Sequence, residues 1–306
     1  MSRYIFKRLN ASIITLFIVI TLTFFLIRAI PGGPFTEEKA VPPEVMEKVL
    51  ARYHMDDPLH KQYFDYIKNI FKFDFGPSYR YPGRTVNEMI AESFPVSALI
   101  GLLAILFSLG IGIPIGIISA IKRGGWQDHF VMLFATLGVT VPNFVIATVL
   151  IYIFALKLGI ATVGLWEGFS TSILPALTLA GYPMAFISRL VRSSMLEVIE
   201  QDYIRTARAK GLTRRVVIYI HALKNALIPL LTYLGPLTAG ILTGSFVVEK
   251  IFAVPGLGTY FVTSIQNRDY TMIIGVTVFY STFLILITLL IDICYGFIDP
   301  RIKLDS

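Results

Sequence analysis

The chain has 306 residues, 55% hydrophobic and 15% charged, whereas a soluble domain carries about a quarter charged residues. Its mean hydropathy is +0.70, and the single cysteine, Cys294, excludes an internal disulfide or a cysteine-based metal cluster. The net charge of +7 gathers at the ends of apolar blocks, which argues for membrane topology and against nucleic acid.

Six apolar blocks are long enough to cross about 30 Å of hydrocarbon. They run from Asn10 to Ile30, Pro95 to Ile121, Phe130 to Leu156, Ile173 to Ser193, Pro229 to Phe252 and Met272 to Phe297. Helix is the state expected, because an unpaired backbone group in lipid costs several kcal/mol and no barrel-like alternation is present. The first block follows Arg3, Lys7 and Arg8 like a signal peptide, but its apolar stretch from Ala11 to Ile27 exceeds the usual 7–15 residues. With no A-x-A-like site after it, an uncleaved anchor is the better reading.

Lysines and arginines set the orientation. With the N-terminus inside, the cytosolic side holds Arg3, Lys7, Arg8, Lys122, Arg123, eight cations between Arg189 and Lys224, and Arg301 and Lys303. The opposite short loops offer Lys157, Lys250 and Arg268. Long loops cross largely regardless of charge, so the segment from Pro31 to Phe94 does not count. The fold class expected is therefore an all-α membrane protein: six transmembrane helices, both termini cytosolic, and an external helical segment after the first helix. Its parts are an anchor at 1–30, an extracytoplasmic cap at 31–94, a five-helix core at 95–297 with a cytosolic loop at 194–228, and a cytosolic tail at 298–306.

The cap segment "PPEVMEKVLARYHMDDPLHKQYFDYIKNIF" has helical apolar spacing twice, at Val45, Val49 and Tyr53, then at Leu59, Tyr63, Tyr66, Ile67 and Ile70. Pro42 and Pro43 suit the start of the first helix and Asp56-Asp57-Pro58 that of the second. "FGPS" and "YPG" read as turns.

Catalytic machinery is not apparent. His54, His60, His129 and His221 are scattered, and no H-E-x-x-H, G-x-S-x-G or P-loop pattern occurs. Asp292 is the intramembrane acid, and such a group at a helix centre costs about 2.5–3.5 kcal/mol. It reads either as a partnered structural acid near the interface or as part of a substrate path or proton relay. Arg189 and Glu249 lie near span ends, where long side chains snorkel. An ion-driven transporter keeps more ionisable groups near the midplane. Gly112, Pro114, Gly116, Gly138, Pro142, Pro175, Gly181 and Pro183 enrich the middle spans. They suit either close packing or a moving pathway, with Pro114, Pro142 and Pro183 as hinge candidates.

The stretch "YIRTARAKGL", Tyr203 to Leu212, stands apart. From Leu196, the residues Ile199, Tyr203, Ile204 and Ala207 share one helical face, and Arg205 and Arg208 share another. Gly211 suits a helix stop, and Thr213 a cap for a second helix carrying Val217, Ile220 and Leu227. The bland alternative is a topology-setting basic loop, bare or held against anionic lipid. Ala207, Ala209 and Gly211 leave room for a partner's backbone.

This stretch resembles the cytosolic EAA loop of bacterial ABC importer permeases, which reads E-A-A, three residues, Gly. Here the register is Arg205-Thr206-Ala207, three residues, Gly211. The peptide branch of that family typically writes R-T-A-R-A-K-G-L and continues, as here, with "HALKNALIP" in place of I-x-L-P. "RAIPGGPF", "FDFGPSY", "FPVSA", "SFVVEKIFAVPGLG", "NRDY" and "IDPR" extend the likeness over nearly the whole chain, to the B-type subunits of oligopeptide importers.

The resemblance implies a permease in the bacterial inner membrane that forms half of a channel. Its partners would be a second, homologous permease, two cytosolic ATPase subunits and an extracytoplasmic peptide-binding protein. ATP and magnesium would belong to the ATPases, and no cofactor to this chain. Tyr203, Arg205, Thr206, Ala207, Arg208, Ala209, Lys210, Gly211 and Leu212 would couple it to an ATPase. Dipeptide, glutathione and nickel permeases of the same family are the near alternatives. An ATPase-independent secondary transporter is the distant one.

Overall fold

The computed structural model describes residues 2–30, 33–34, 47, 51 and 53–298, with the side chains of 2–7 and 292–298 outside that description. The expected helix at Val45 and Val49 and the tail at 299–306 lie outside it too. Among the described residues the fold is helical, apart from one antiparallel bridge between Pro77 and Thr85.

Helix α1 (Ser2–Ala29) packs Ile20, Phe24 and Ile27 against Tyr270, Ile273, Ile274 and Val278 of the last helix. The cap helix α2 (Leu59–Ile70) lays Tyr63, Tyr66, Ile67 and Ile70 on the same cluster, as its spacing predicts. Leu59 instead is exposed. The turn after α2 is tied down by Asp269, which is 1% exposed and accepts from the Ser78 hydroxyl and from the amides of Tyr79 (3.1 Å) and Met272 (3.2 Å).

Helix α3 (Val86–Ile121) starts well before Pro95, which lies inside it. A capping box sets that start: Glu88 N–H donates to Thr85 Oγ1 (3.2 Å) and Thr85 N–H to Glu88 Oε2 (3.0 Å). Its main partner is α6 (Phe169–Ile199), and close approach is what the glycines of α3 supply. A Cβ on Gly116 would lie 2.6 Å from the Ser188 carbonyl and 2.9 Å from Val191 Cβ.

The third expected span is broken. Helix α4 (Trp126–Thr140) gives way to α5 (Asn143–Lys157) through a 110° bend. Pro142 has no N–H to continue the ladder and pushes Val141 into the extended region (φ −79°, ψ 123°). The fifth expected span, Pro229 to Phe252, is also not one helix. Within it lies α9 (Ile228–Leu242), bent by 49° from α8 (Arg214–Ala226), which precedes the block. Gly244, at φ +89°, separates them from the short α10 (Phe246–Ile251). Block lengths count apolar residues and do not see such breaks. Beyond α10 come α11 (Leu257–Gln266) and α12 (Tyr270–Ile298).

Among the described residues four helices, α1, α3, α6 and α12, are long and apolar enough to cross a membrane alone, and the two bent pairs bring the total to six if each is one span. The exposed flanks of these helices carry Phe17, Leu22, Leu102, Leu106, Phe134 and Leu286, the surface expected against lipid.

Candidate functional site

Between α6 and α8 stands α7 (Asp202–Ala209). Helix α6 ends at Ile199, so Leu196 and Ile199 do not share a helix with Tyr203, contrary to the continuous face read from the sequence. Gln201 is extended and restarts the helix (φ −70°, ψ 149°). At 100° per residue, the inward side of α7 is Ile204 and Ala207, 0% and 7% exposed. Both belong to the cluster that includes Val217 and Ile218 of α8. Asp202, Arg205, Thr206 and Ala209 point the other way and are exposed.

Ala207 therefore owes its small size to packing within this chain, and offers no surface to a partner. Tyr203 is 42% exposed, and its hydroxyl accepts from Asn225 Nδ2 at 2.7 Å, tying α7 to α8. Arg205 stands 3.5 Å from Asp202, and the Thr206 hydroxyl donates to the Asp202 carbonyl (3.0 Å). Lys210 follows the last turn, and Gly211 takes φ +78° with open space where a Cβ would be. Leu212 is 39% exposed. Thr213 stands at the N-cap position of α8 but makes no side-chain capping bond. Helix–glycine–helix is thus the observed shape, with α7 tethered at both ends.

The hinge candidates are not gathered at one point. Pro142 makes the break between α4 and α5. Pro114 is exposed on α3, and Pro183 is buried in α6. Around Pro183 three helices close together: Gly112 stands against the Met184 carbonyl (3.0 Å from a built Cβ), and Gly138 against Ala185 Cβ (2.7 Å). Asp292 lies on α12, with its side chain outside the described residues.

Besides Asp269, two buried carboxylates depart from what the sequence leads one to expect. Glu249, expected to snorkel, is 2% exposed. It accepts from Ser97 Oγ (2.7 Å) and Thr259 N–H (2.9 Å), while Ser97 Oγ accepts from Leu257 N–H (2.8 Å). Cβ atoms on Gly244 and Gly256 would fall 2.5 and 2.6 Å from its oxygens. Asp128, 4% exposed, takes a bidentate bond from Arg192 (2.6 and 2.8 Å), another from the Ser119 hydroxyl, and one from Gly124 N–H (2.9 Å). The signal for Glu249 was the spacing of Gly244, Gly256 and Gly258 around one acid. For Asp128 no local pattern exists, because Arg192 is far away in sequence.

Two family models match the chain. Residues 112–304 match the binding-protein-dependent transport system inner membrane component, and residues 1–100 its N-terminal part. A Bacillus subtilis protein named dipeptide transport system permease protein DppB is 50% identical over 99% of both chains. A Haemophilus influenzae protein named oligopeptide transport system permease protein OppB is 46% identical over 99% of this chain and 100% of its own. Among solved structures, an inward-facing MetNI methionine ABC transporter chain superposes with a TM-score of 0.56 at 18% identity, covering 69% of this chain and 96% of that one.

Proposed function

The chain belongs to the inner-membrane components of binding-protein-dependent transport systems, and from that premise we propose that it is one of two permease halves in a bacterial peptide importer driven by ATPases. The peptide assignment rests on the names of its relatives, dipeptide and oligopeptide permeases alike. The observation that carries the coupling role is α7 itself. It is a short, two-faced helix, anchored inward by Ile204 and Ala207 and bare on the side of Thr206 and Ala209.

Seated in an ATPase groove, α7 would transmit closure of the ATPase dimer. Differential contacts in two states must supply the energy, so the helix needs rigid links to the spans. Glu200-Gln201 joins it to α6, and the Tyr203–Asn225 bond joins it to α8. Pro142, Pro114 and Pro183 are where α4–α5, α3 and α6 would flex. The proposed orientation puts α7 and both termini in the cytosol, and α2 outside, where a peptide-binding protein would arrive. A second permease would complete the path, and ATP and magnesium would be held by the ATPases.

The test follows from the two faces. Ala209→Trp places bulk on the outward face without touching the core. It should abolish co-purification of the ATPases and peptide uptake while the permease still inserts. Undiminished co-purification and uptake in Ala209→Trp would refute the coupling role. A bulky residue at Ala207 is not a clean test, because it would collide with Val217 and Ile218. An ATPase-independent transporter would instead move peptide as the purified chain alone, under an ion gradient.

A further inference from the structure

A cavity of about 530 Å³ opens behind α7, between it, the end of α3 and the end of α6, within the roughly 300–1,000 Å³ typical of small-molecule sites. Its rim and its floor differ in kind. Arg123, Arg208 and Arg214 line the rim, with Glu200 as the only acid. Glu200 is engaged by Arg123 at 3.2 Å, and Arg208 and Arg214 pair with no carboxylate among the described residues. The floor is aliphatic, from Ile121, Leu196, Ile199 and Val217. Arg208 sits beside Ile204 on the helical wheel, turned from the outward face of Thr206 and Ala209, so this cavity and the proposed ATPase surface are different sides of α7.

We propose that the cavity binds an anionic phospholipid. Its phosphate would lie among Arg123, Arg208 and Arg214, and one acyl chain over Ile121, Leu196 and Ile199. The cations call for an anion, and two further observations point to lipid and not to a soluble one. The cations are in excess, two of them have no carboxylate partner among the described residues, and guanidinium groups suit phosphate oxygens through paired N–H bonds. The floor is apolar, which a free phosphate would leave unused. Trp126, 74% exposed, opens α4 three residues after Arg123, across the turn at Gly124, and exposed tryptophans mark headgroup depth. Basic pockets between spans on the cytosolic side are where such headgroups bind.

The consequence is regulatory. A lipid held there touches the ends of α3 and α6 and, through Arg208, Leu212 and Arg214, both flanks of the turn that carries Gly211. Occupancy would steady α7 relative to the spans.

The site borrows from the proposed function only its orientation, and lipid retention in detergent reads the site without it. The importer is purified in detergent and titrated with fluorescent phosphatidylglycerol, with phosphatidylcholine as the zwitterionic control. Arg123→Gln with Arg214→Gln should weaken phosphatidylglycerol retention by roughly 30-fold, while Arg123→Lys with Arg214→Lys should retain most of it. Leu196→Trp, which fills the floor and keeps every cation, should also expel the lipid, and guards against a misfolded glutamine variant. Equal retention by the glutamine variant would overturn the proposal, as would equal affinity for phosphatidylcholine. Displacement by millimolar inorganic phosphate would mark a soluble-anion site and overturn it too.

Discussion

Ser97 and Ser119 stand on the same helix, about 33 Å apart along α3 at 1.5 Å per residue, and each gives its hydroxyl to a buried carboxylate. At Ser119 the carboxylate is Asp128, and its charge is met by the guanidinium of Arg192. At Ser97 it is Glu249, and no described lysine or arginine pairs with it. Glu249 relies on neutral donors and on backbone that closes around it at Gly244 and Gly256. The same helix is therefore fastened in two ways. The Asp128 fastening joins α3, α4 and α6 through charge, just before α6 leads into α7. The Glu249 fastening joins α3 to α10 and α11 through shape. An ion pair fails when its partner is removed, whereas a glycine cradle fails when anything is added.

That contrast orders the expected effects. The largest belongs to Arg192→Ala, which leaves Asp128 buried and unpaired. Breaking such a pair costs about 3–5 kcal/mol. Arg192 is 23% exposed as a side chain, so the low end of that range is expected, read from denaturation of the solubilised protein. Arg192→Ala with Asp128→Asn should recover much of the loss, and no recovery would show that charge is not what the pair supplies. Next comes Gly256→Ala, whose new methyl would meet both Glu249 oxygens at 2.6 Å. Overpacking of this kind costs about 1–3 kcal/mol. A second substitution, Glu249→Ala, should make Gly256→Ala nearly silent. If the alanine at 256 is equally harmful without the carboxylate, the cradle is not the cause.

How far these features could be read from residues depends on the range of the interaction that sets them. Apolar block lengths found the positions of α1, α6 and α12, since burial in lipid is a summed, local property. They missed the break at Pro142 and the gap at Gly244, where one residue's backbone overrides the hydropathy of its neighbours. The start of α3 was written locally, in Thr85 and Glu88, yet Pro95 drew the boundary because proline is the louder signal. In the basic loop, the helix–glycine–helix shape followed from Gly211. The outward face did not: helical spacing already set Ala207 beside Ile204 on the apolar face, where both are buried, yet the small size of Ala207 reads as room for a partner. Asp128 with Arg192, and Glu249 with Ser97, were out of reach for a different reason. Each is a contact between distant segments; Glu249 leaves a faint trace in the glycines spaced around it, Gly244, Gly256 and Gly258, and Asp128 leaves none.

The finest test compares the two serines directly. Ser119→Ala removes one donor from Asp128 but leaves the bidentate Arg192 bonds and the Gly124 amide. A hydrogen bond lost from a group that stays satisfied costs about 0.5–1.5 kcal/mol. Ser97→Ala removes the 2.7 Å donor of Glu249 and also orphans the Leu257 amide, which has Ser97 Oγ as its acceptor. Leaving buried groups unmet costs about 1–3 kcal/mol, so Ser97→Ala should lower the unfolding midpoint of the solubilised protein more than Ser119→Ala. Ser97→Thr, which keeps the hydroxyl, should recover part of that difference. Equal shifts for the two alanine variants would mean that Glu249 finds other donors as readily as Asp128 does. The distinction between a charge-held and a shape-held carboxylate would then carry no energetic weight.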